Sequence, residues 1–265
     1  MREADLATAV DTDIDLIRTA AAEAGRIAMG FFGRDPEVWM KGGVSPVSEA
    51  DYAVDAFLKA TLRAARPDYG WLSEETVDTP ERLSARRTFV VDPIDGTRAF
   101  LDRRDLWCVS IAVVEDGRPL AGVLDCPARG EVFVAGLGTG ATLNGAPVAV
   151  RAQGAPPAVA GPDRLVSSLP PAFRPPRQHP YVPSLAYRLA MVAAGRIDGT
   201  FVKANSHDWD LAAADLILAE AGGQIRDAQG RLLLYADADP SHGLLAAGSG
   251  ALLDQMVRII AAAPG

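Results

Sequence analysis

The chain has 265 residues, 49% hydrophobic and 23% charged, with a formal net charge of −8 and a pI near 4.9. Its size and composition read as a soluble globular protein with a sizeable core, and its acidity excludes a nucleic-acid polymer as partner, since no basic stripe offsets phosphate repulsion. Cys108 and Cys126 are the only cysteines, which fits reduced, partly buried thiols better than a disulfide framework.

The N-terminus is acidic and has no apolar signal core. No apolar run approaches the ~20 residues of a membrane helix, so the expected location is cytoplasmic, with no membrane partner. Residues 5–33 carry apolar side chains at helical spacing, among them Leu6, Val10, Ile17, Ala24 and Phe31, and Gly33 is a plausible stop. KGGVSPVSEADYAVD (41–55) is a loop or hairpin through Gly42, Gly43 and Pro46. Ser48 and Asp51 then form an S-x-x-D signature for a helix to about Ala65. By itself Asp51 reads as first-turn dipole compensation, and Lys41 as mobile surface charge. YGWLSEE (69–75) is a short strand ending in adjacent acids, Glu74 and Glu75.

The most informative stretch is TFVVDPIDGTRAF (88–100). Thr88 to Val91 read as a buried strand ending at Asp92, where Pro93 fixes φ and removes a donor. Asp92, Asp95 and the carbonyl of Ile94 are hard oxygen ligands for a divalent cation. The N–H groups of Gly96 and Thr97, at the start of a helix, offer an anion site beside them. That pairing suits a metal-assisted reaction on a phosphate; the competing reading is ordinary Asp-Pro and Asp-Gly turn chemistry.

Beyond it, WCVSIAVVEDGRPLAGVLDC (107–126) is a hairpin around Asp116-Gly117, followed by EVFVAG (131–136). Residues 151–183 hold nine of the 19 prolines and mark a junction between two halves, 1–150 and 151–265, of one domain. VPSLAYRLAMVAAG (182–195) is a helix, IDGTFV a strand, and HDWDLAAADLILAEAGG (207–223) a helix with Asp208 or Asp210 in its first turn. Asp215, one turn on, is a surface or packing residue. Strands near 231–235 and 244–248 and a helix over 250–262 complete an alternating α/β pattern.

Several chemistries are absent. GLGTGA (136–141) lacks the dinucleotide spacing and no P-loop occurs. The three histidines form no zinc spacing and there is no G-x-S-x-G.

VVDPIDGTRAF resembles the D-P-[IL]-D-G-T signature of the inositol monophosphatase superfamily, and HDWDLAAAD its second signature, W-D-x-A-A-[GA]. KGGVSPVSEAD resembles the family's K-x-x-x-S-P-[VL]-[TS]-x-A-D, and WLSEE its strand ending in two glutamates. These elements run in the family's order from Lys41 to Asp215.

The resemblance implies the layered αβαβα sandwich of the inositol monophosphatase/fructose bisphosphatase type and a Mg²⁺-dependent phosphomonoesterase acting on a small phosphorylated metabolite. Glu74, Asp92 and the Ile94 carbonyl would bind a first Mg²⁺. Asp92, Asp95 and Asp210 would bind a second, and Glu74 would help with a weaker third. The Gly96 and Thr97 N–H groups would hold the phosphate, with Asp95 and Asp210 also at the substrate. Asp51 would accept from the Thr97 hydroxyl, so that Thr97 and Glu74 position and activate water. Li⁺ inhibition and a homodimer are further implications.

Departures bear on substrate. Arg98 and Ala99 stand where inositol monophosphatases have Thr-Asn before the Phe, Ser73 replaces a Gly, and Lys203 stands where those enzymes carry an inositol-binding Glu. A donor-only cation at 203 suits a second anionic group, which favours the bisphosphate nucleotidase branch acting on adenosine 3',5'-bisphosphate. Inositol monophosphatase is next, then histidinol-phosphate or sugar-bisphosphate phosphatase. A non-catalytic binding protein is opposed by the full set Asp51, Glu74, Asp92, Asp95, Thr97 and Asp210.

Overall fold

The computed structural model describes residues 3–42, 45–152, 156–173 and 176–263, with side chains from Val10 onward. The expectations for Leu6 and Gly43 lie outside the described side chains and residues. Helix α1 (Glu3–Phe31) leads to a hairpin, β1 (Val38–Lys41) and β2 (Ser45–Ser48), and then α2 (Glu49–Ala65). A seven-stranded sheet follows: β3 (Gly70–Ser73), β4 (Arg87–Asp95), β5 (Cys108–Glu115), β6 (Arg118–Cys126), β7 (Glu131–Gly136), β8 (Gly140–Leu143) and β9 (Ala146–Pro147), paired in that order. A short helix, α3 (Thr97–Leu101), sits between β4 and β5. Only β3–β4 is parallel; the remaining neighbours are antiparallel.

The second sheet runs β11 (Arg177–Gln178), β10 (Ala158–Ala160), β12 (Gly199–Val202), β16 (Leu245–Gly248), β14 (Gln224–Asp227). Helix α4 (Asp163–Ser167) lies between β10 and β11 in sequence; α5 (Leu185–Ala193), α6 (Asp208–Glu220) and α7 (Gly250–Ala261) follow, with a small ladder of β13 (Ser206–His207) on β15 (Ser241–His242). The layers are α1 and α2, the first sheet, α5 and α6, the second sheet, and α7: an αβαβα sandwich.

Period-2 alternation in β5 explains how a strand can be buried on both faces. Val109, Ile111 and Val113 pack toward α1 and α2, while Cys108, Ala112 and Val114 pack toward α5 and α6. The second sheet behaves alike: Val159, Phe201 and Ala246 join Leu252, Leu253 and Met256 of α7, while Val202 and Ala247 face α5 and α6. The two cysteines are fully buried rather than partly, as separate thiols. Among the described residues no helix is long and apolar enough to cross a membrane.

Three expectations need correction. The strand at 88–91 does not end at Pro93 but extends over Arg87–Asp95, with its register broken between Asp92 and Asp95. The bulge takes Pro93 out of the ladder, so its missing N–H costs no hydrogen bond. Residues 231–235 form no strand, although Leu232 and Leu234 are exposed and Leu233 and Tyr235 buried. That alternation is real, but no ladder receives it: Tyr235 N–H donates to Gly117 O, and β16 is already paired on both sides, with β12 and β14. Within the Pro-rich stretch, β10 is buried between β11 and β12 of the second sheet. Lastly, Lys41 is half-buried and ion-paired rather than mobile surface charge.

One acid in this packing is held out of water without a compensating partner among the described residues. Asp125 on β6 faces α1 at Gly25, where an added Cβ would fall 2.0 Å from Asp125 Oδ2. Among the described residues its carboxylate has no hydrogen-bond partner, and burial pushes it from 3.8 up to about 6. A folded pKa above the unfolded one means the native state holds the proton more tightly. The destabilisation is therefore absent below about pH 4, grows between about 4 and 6, and is complete above, at roughly 3 kcal/mol. Asp125→Asn is expected to raise stability at pH 7.5 by up to about that amount and to change it little at pH 4. Urea unfolding at both pH values checks this; an equal difference at both contradicts it.

Candidate active site

Asp92 and Asp95 are three residues apart, so a regular strand would turn them to opposite faces. The bulge at Pro93 re-aims them, and carboxylate oxygens of Asp92, Asp95 and Asp210 all lie within 4.8 Å of one another. Asp210 comes from the first turn of α6, where its Oδ2 accepts from His207 N–H at 2.7 Å. Asp92 is 1% exposed and accepts from Ile94 N–H at 3.0 Å. Asp95 caps another helix: its Oδ2 accepts from Ser184 Oγ at 2.5 Å and Ala186 N–H at 2.6 Å, its Oδ1 from Leu185 N–H at 3.2 Å.

The three carboxyls are pushed up from the ordinary value. Burial is the main cause for each, followed for Asp92 by the charges of Glu74, Asp95 and Asp210, and for Asp210 by that of Asp95. Asp95 is held to about 6, because the Ser184 hydroxyl and two N–H donors offset part of the burial. Packed acids of this kind are relieved by a positive charge among them. The donors are all oxygen, which fits a hard divalent cation.

Glu74, just beyond β3, lines the same cavity as Asp92, Ile94, Asp95, Gly96, Thr97, Arg98 and Asp210. Its N–H donates to Val91 O at 3.2 Å, which extends the β3–β4 pairing and carries Glu74 to the end of β4. Lys41 Nζ lies 3.4 Å from Glu74 Oε1 and 2.6 Å from Glu75 Oε1. Glu75 is pushed up to about 7, first by burial and then by neighbouring acids, against the pull of Lys41. Lys41 thus restrains both glutamates from the end of the β1–β2 hairpin.

Asp51 faces both the helix start and the cavity-lining Thr97. Its Oδ2 accepts from Ser48 N–H at 2.8 Å and Ser48 Oγ at 2.5 Å, as a helix cap should. Its Oδ1 faces the site, 3.2 Å from Thr97 Oγ1, which also lies 3.1 Å from Ile94 O. Burial, chiefly, raises Asp51 to about 6. Gly96 takes φ 96° and an added Cβ would meet Leu106 O at 3.0 Å and Ser184 Cβ at 3.1 Å, so only glycine fits this turn. It places Thr97 at the start of α3, where the first N–H groups have no preceding turn to accept them.

A larger cavity of about 650 Å³ opens beyond Asp95 and Asp210, lined also by Tyr181, Arg188, Lys203 and Asn205. Lys203 is exposed on its wall. Arg188 was not foreseen. It is 9% exposed, and among the described residues its Nε is buried and unpartnered, with one long bond of 3.4 Å from Nη1 to Val182 O. Burial pulls its guanidinium down while Asp95 pulls it up. Ser184 was also missed; the Pro183-Ser184 pair before an Ala/Leu run is a helix-start signal, but nothing local ties it to Asp95. Ser73 is drawn away from the site, its Oγ 2.5 Å from Asp55 Oδ1, so its hydroxyl serves the β3–α2 packing. Asp215 is a packing residue, accepting from Tyr235 Oη at 2.9 Å.

The model of the inositol monophosphatase family matches residues 9–263. A histidinol-phosphatase of Chlorobaculum parvum is 34% identical over 228 residues, covering 83% of this chain and 87% of its own. The 3'(2'),5'-bisphosphate nucleotidase CysQ of Aggregatibacter actinomycetemcomitans is 31% identical over 230 residues, covering 81% and 84%. Among solved structures, the extragenic suppressor protein suhB of Bartonella henselae superposes with a TM-score of 0.82 at 29% identity, over 96% of this chain and all of that one. With its bulged Asp-Pro-Ile-Asp strand end and its αβαβα layers, the chain belongs to the inositol monophosphatase family and is a phosphatase.

Proposed function

We propose that the protein is a Mg²⁺-dependent phosphomonoesterase whose substrate carries a second anionic group on the leaving side, as adenosine 3',5'-bisphosphate does. The clustering of the Asp92, Asp95 and Asp210 carboxylates beside Gly96 and Thr97 supports the reaction class. In this reading Glu74, Asp92, Asp95, Asp210 and the Ile94 carbonyl hold two to three Mg²⁺ ions. The bound cations supply stabilisation of the negative charge that develops on the phosphoryl group.

The side chains do the rest. Thr97 Oγ1 stands between two acceptors, Asp51 Oδ1 and Ile94 O, so its proton is committed inward. Its remaining lone pairs accept a proton-bearing water, and Glu74 accepts the other hydrogen, aiming the water oxygen at phosphorus. The Gly96 and Thr97 N–H groups hold the phosphate opposite. Arg188 and Lys203 take the second anion. A buried guanidinium with an unpartnered Nε is the observation that favours this substrate class over inositol monophosphate. Histidinol phosphate, with a cationic amine, would meet like charge from both residues.

Asp92→Asn is expected to lower kcat by several orders of magnitude while raising the Tm of metal-free protein, because one repelling carboxylate is gone. Near-normal turnover at saturating Mg²⁺ contradicts the assignment. Thr97→Ala should lower kcat much more than it raises KM, since the lost contact belongs to the transition state; a change in KM alone makes Thr97 a binding residue only. Li⁺ should inhibit at Mg²⁺ concentrations that support turnover.

For the leaving group, a charge-assisted contact contributes about 1.5–3 kcal/mol. Lys203→Ala and Arg188→Gln should each raise KM for adenosine 3',5'-bisphosphate by roughly one to two orders of magnitude and barely change hydrolysis of inositol monophosphate. Steady-state kinetics on both substrates tests this. Equal, small effects on the two remove the second-anion reading and leave the phosphatase intact.

A further inference from the structure

Asp208 lies two residues before Asp210, 1% exposed, yet it lines neither cavity. Its carboxylate adds repulsion to an already crowded set of acids, so it needs a different account from Asp210. All of its contacts point the other way. Oδ1 lies 2.7 Å from His242 Nε2, and Oδ2 accepts from Ala236 N–H at 2.6 Å. Its own N–H donates to Pro240 O at 2.9 Å. One turn of α6 is thereby fastened to segment 236–242 by side chain and backbone together.

That segment is costly to hold. Ala236 has φ 61°, a left-handed conformation that a residue with a Cβ adopts under strain. Arg82 grips it from the other half of the chain, Nη1 donating to Ala236 O and Nη2 to Asp237 O, both at 2.7 Å. The same segment carries β15, which pairs with β13 in the register Ser206↔His242 and His207↔Ser241. Asn205 N–H adds a bond to His242 O at 2.8 Å.

His207 is the link to the reaction. Its ring stacks on Trp209 at 4.6 Å with 5° between planes, and its N–H donates to Asp210 Oδ2 at 2.7 Å. The position of that N–H is set by the β13–β15 ladder and by the first residue of α6, and both are anchored through Asp208 and His242. We propose that Asp208 and His242 form a positioning pair which, acting through the His207 backbone, fixes the Asp210 carboxylate for cation binding. The pair touches neither substrate nor cation. The inference rests on the cation site proposed above, in which Asp210 is a ligand.

Outer residues that orient metal ligands typically change metal affinity by about 10- to 100-fold when removed. Mn²⁺ serves as the probe, its free concentration read by electron paramagnetic resonance during titration of the full-length protein. Asp208→Ala and His242→Ala should each weaken Mn²⁺ binding about 10- to 100-fold and raise the Mg²⁺ concentration for half-maximal activity in parallel, with substrate KM nearly unchanged at saturating metal. Asp208→Asn keeps an acceptor for the Ala236 N–H and an amide facing His242, and should recover most of the affinity.

Unchanged Mn²⁺ affinity in folded Asp208→Ala, with only a lower Tm, makes the pair a structural clamp and overturns the proposal. Should Asp208→Ala not fold, His242→Ala decides on the same measurement, since it leaves the Asp208–Ala236 bond in place. Failure of the unsubstituted protein to bind Mn²⁺ would instead sink the cation site, and this inference with it.

Discussion

The Asp95 carboxylate is the contact on which the rest of the structure turns. It stands at the bulged end of β4 in the first sheet and accepts three hydrogen bonds from the start of α5 in the middle layer. A negative charge at a helix N-terminus is favourable, and the donors are ones a helix start must satisfy somehow. The same carboxylate shares a 4.8 Å neighbourhood with Asp92 and Asp210. Folding the second half of the chain against the first therefore assembles the acidic cluster. Arg188, one turn along α5 from Ser184, is carried to the adjoining cavity by the same helix.

This economy has an energetic consequence. Burial and mutual repulsion act against ionising Asp92, Asp95 and Asp210 together, so the cluster in isolation destabilises the fold it completes. The surrounding bonds decide where the cost falls. Asp95, with three donors from the start of α5, stays near 6, whereas Asp92, with one N–H donor from Ile94, is pushed well above the ordinary range. Asp92, like Asp210, is held well above the ordinary range and so depends on a positive charge nearby. Stability and chemistry compete at these two residues.

Much of this was legible from residue patterns. The Asp116-Gly117 hairpin, with φ 51° and 74°, is the turn its sequence demands. The S-x-x-D cap of α2 is real, and Asp51 also reaches the Thr97 hydroxyl, because its two oxygens face different ways. What stayed hidden depends on contacts with no local signature. Ser184 meets Asp95 across 89 positions and Arg82 grips Ala236 across 154. Residues 231–235 carry a strand's alternation, yet their backbone is claimed by a loop contact with Gly117. The motif resemblance supplied the order of the site elements, but not the buried arginine.

An acidic phosphatase faces a difficulty with anionic substrates, since a net charge of −8 repels them at a distance. Screening limits that repulsion to about 8–10 Å at physiological ionic strength, so close-range charges decide capture. Lys41 stands over Glu74 and Glu75, Arg98 lines the carboxylate cavity, and Arg188 and Lys203 line the larger one. These cations are not equivalent. Lys41 is engaged with carboxylates and steadies their position, while Lys203 is exposed. Arg188 is already desolvated by the fold, so a ligand anion that reaches it does not have to strip its water first. In the proposed reading, preorganisation of this kind gives discrimination to the buried guanidinium and leaves encounter to the exposed lysine. The pocket wall, not the overall charge, would then select the substrate.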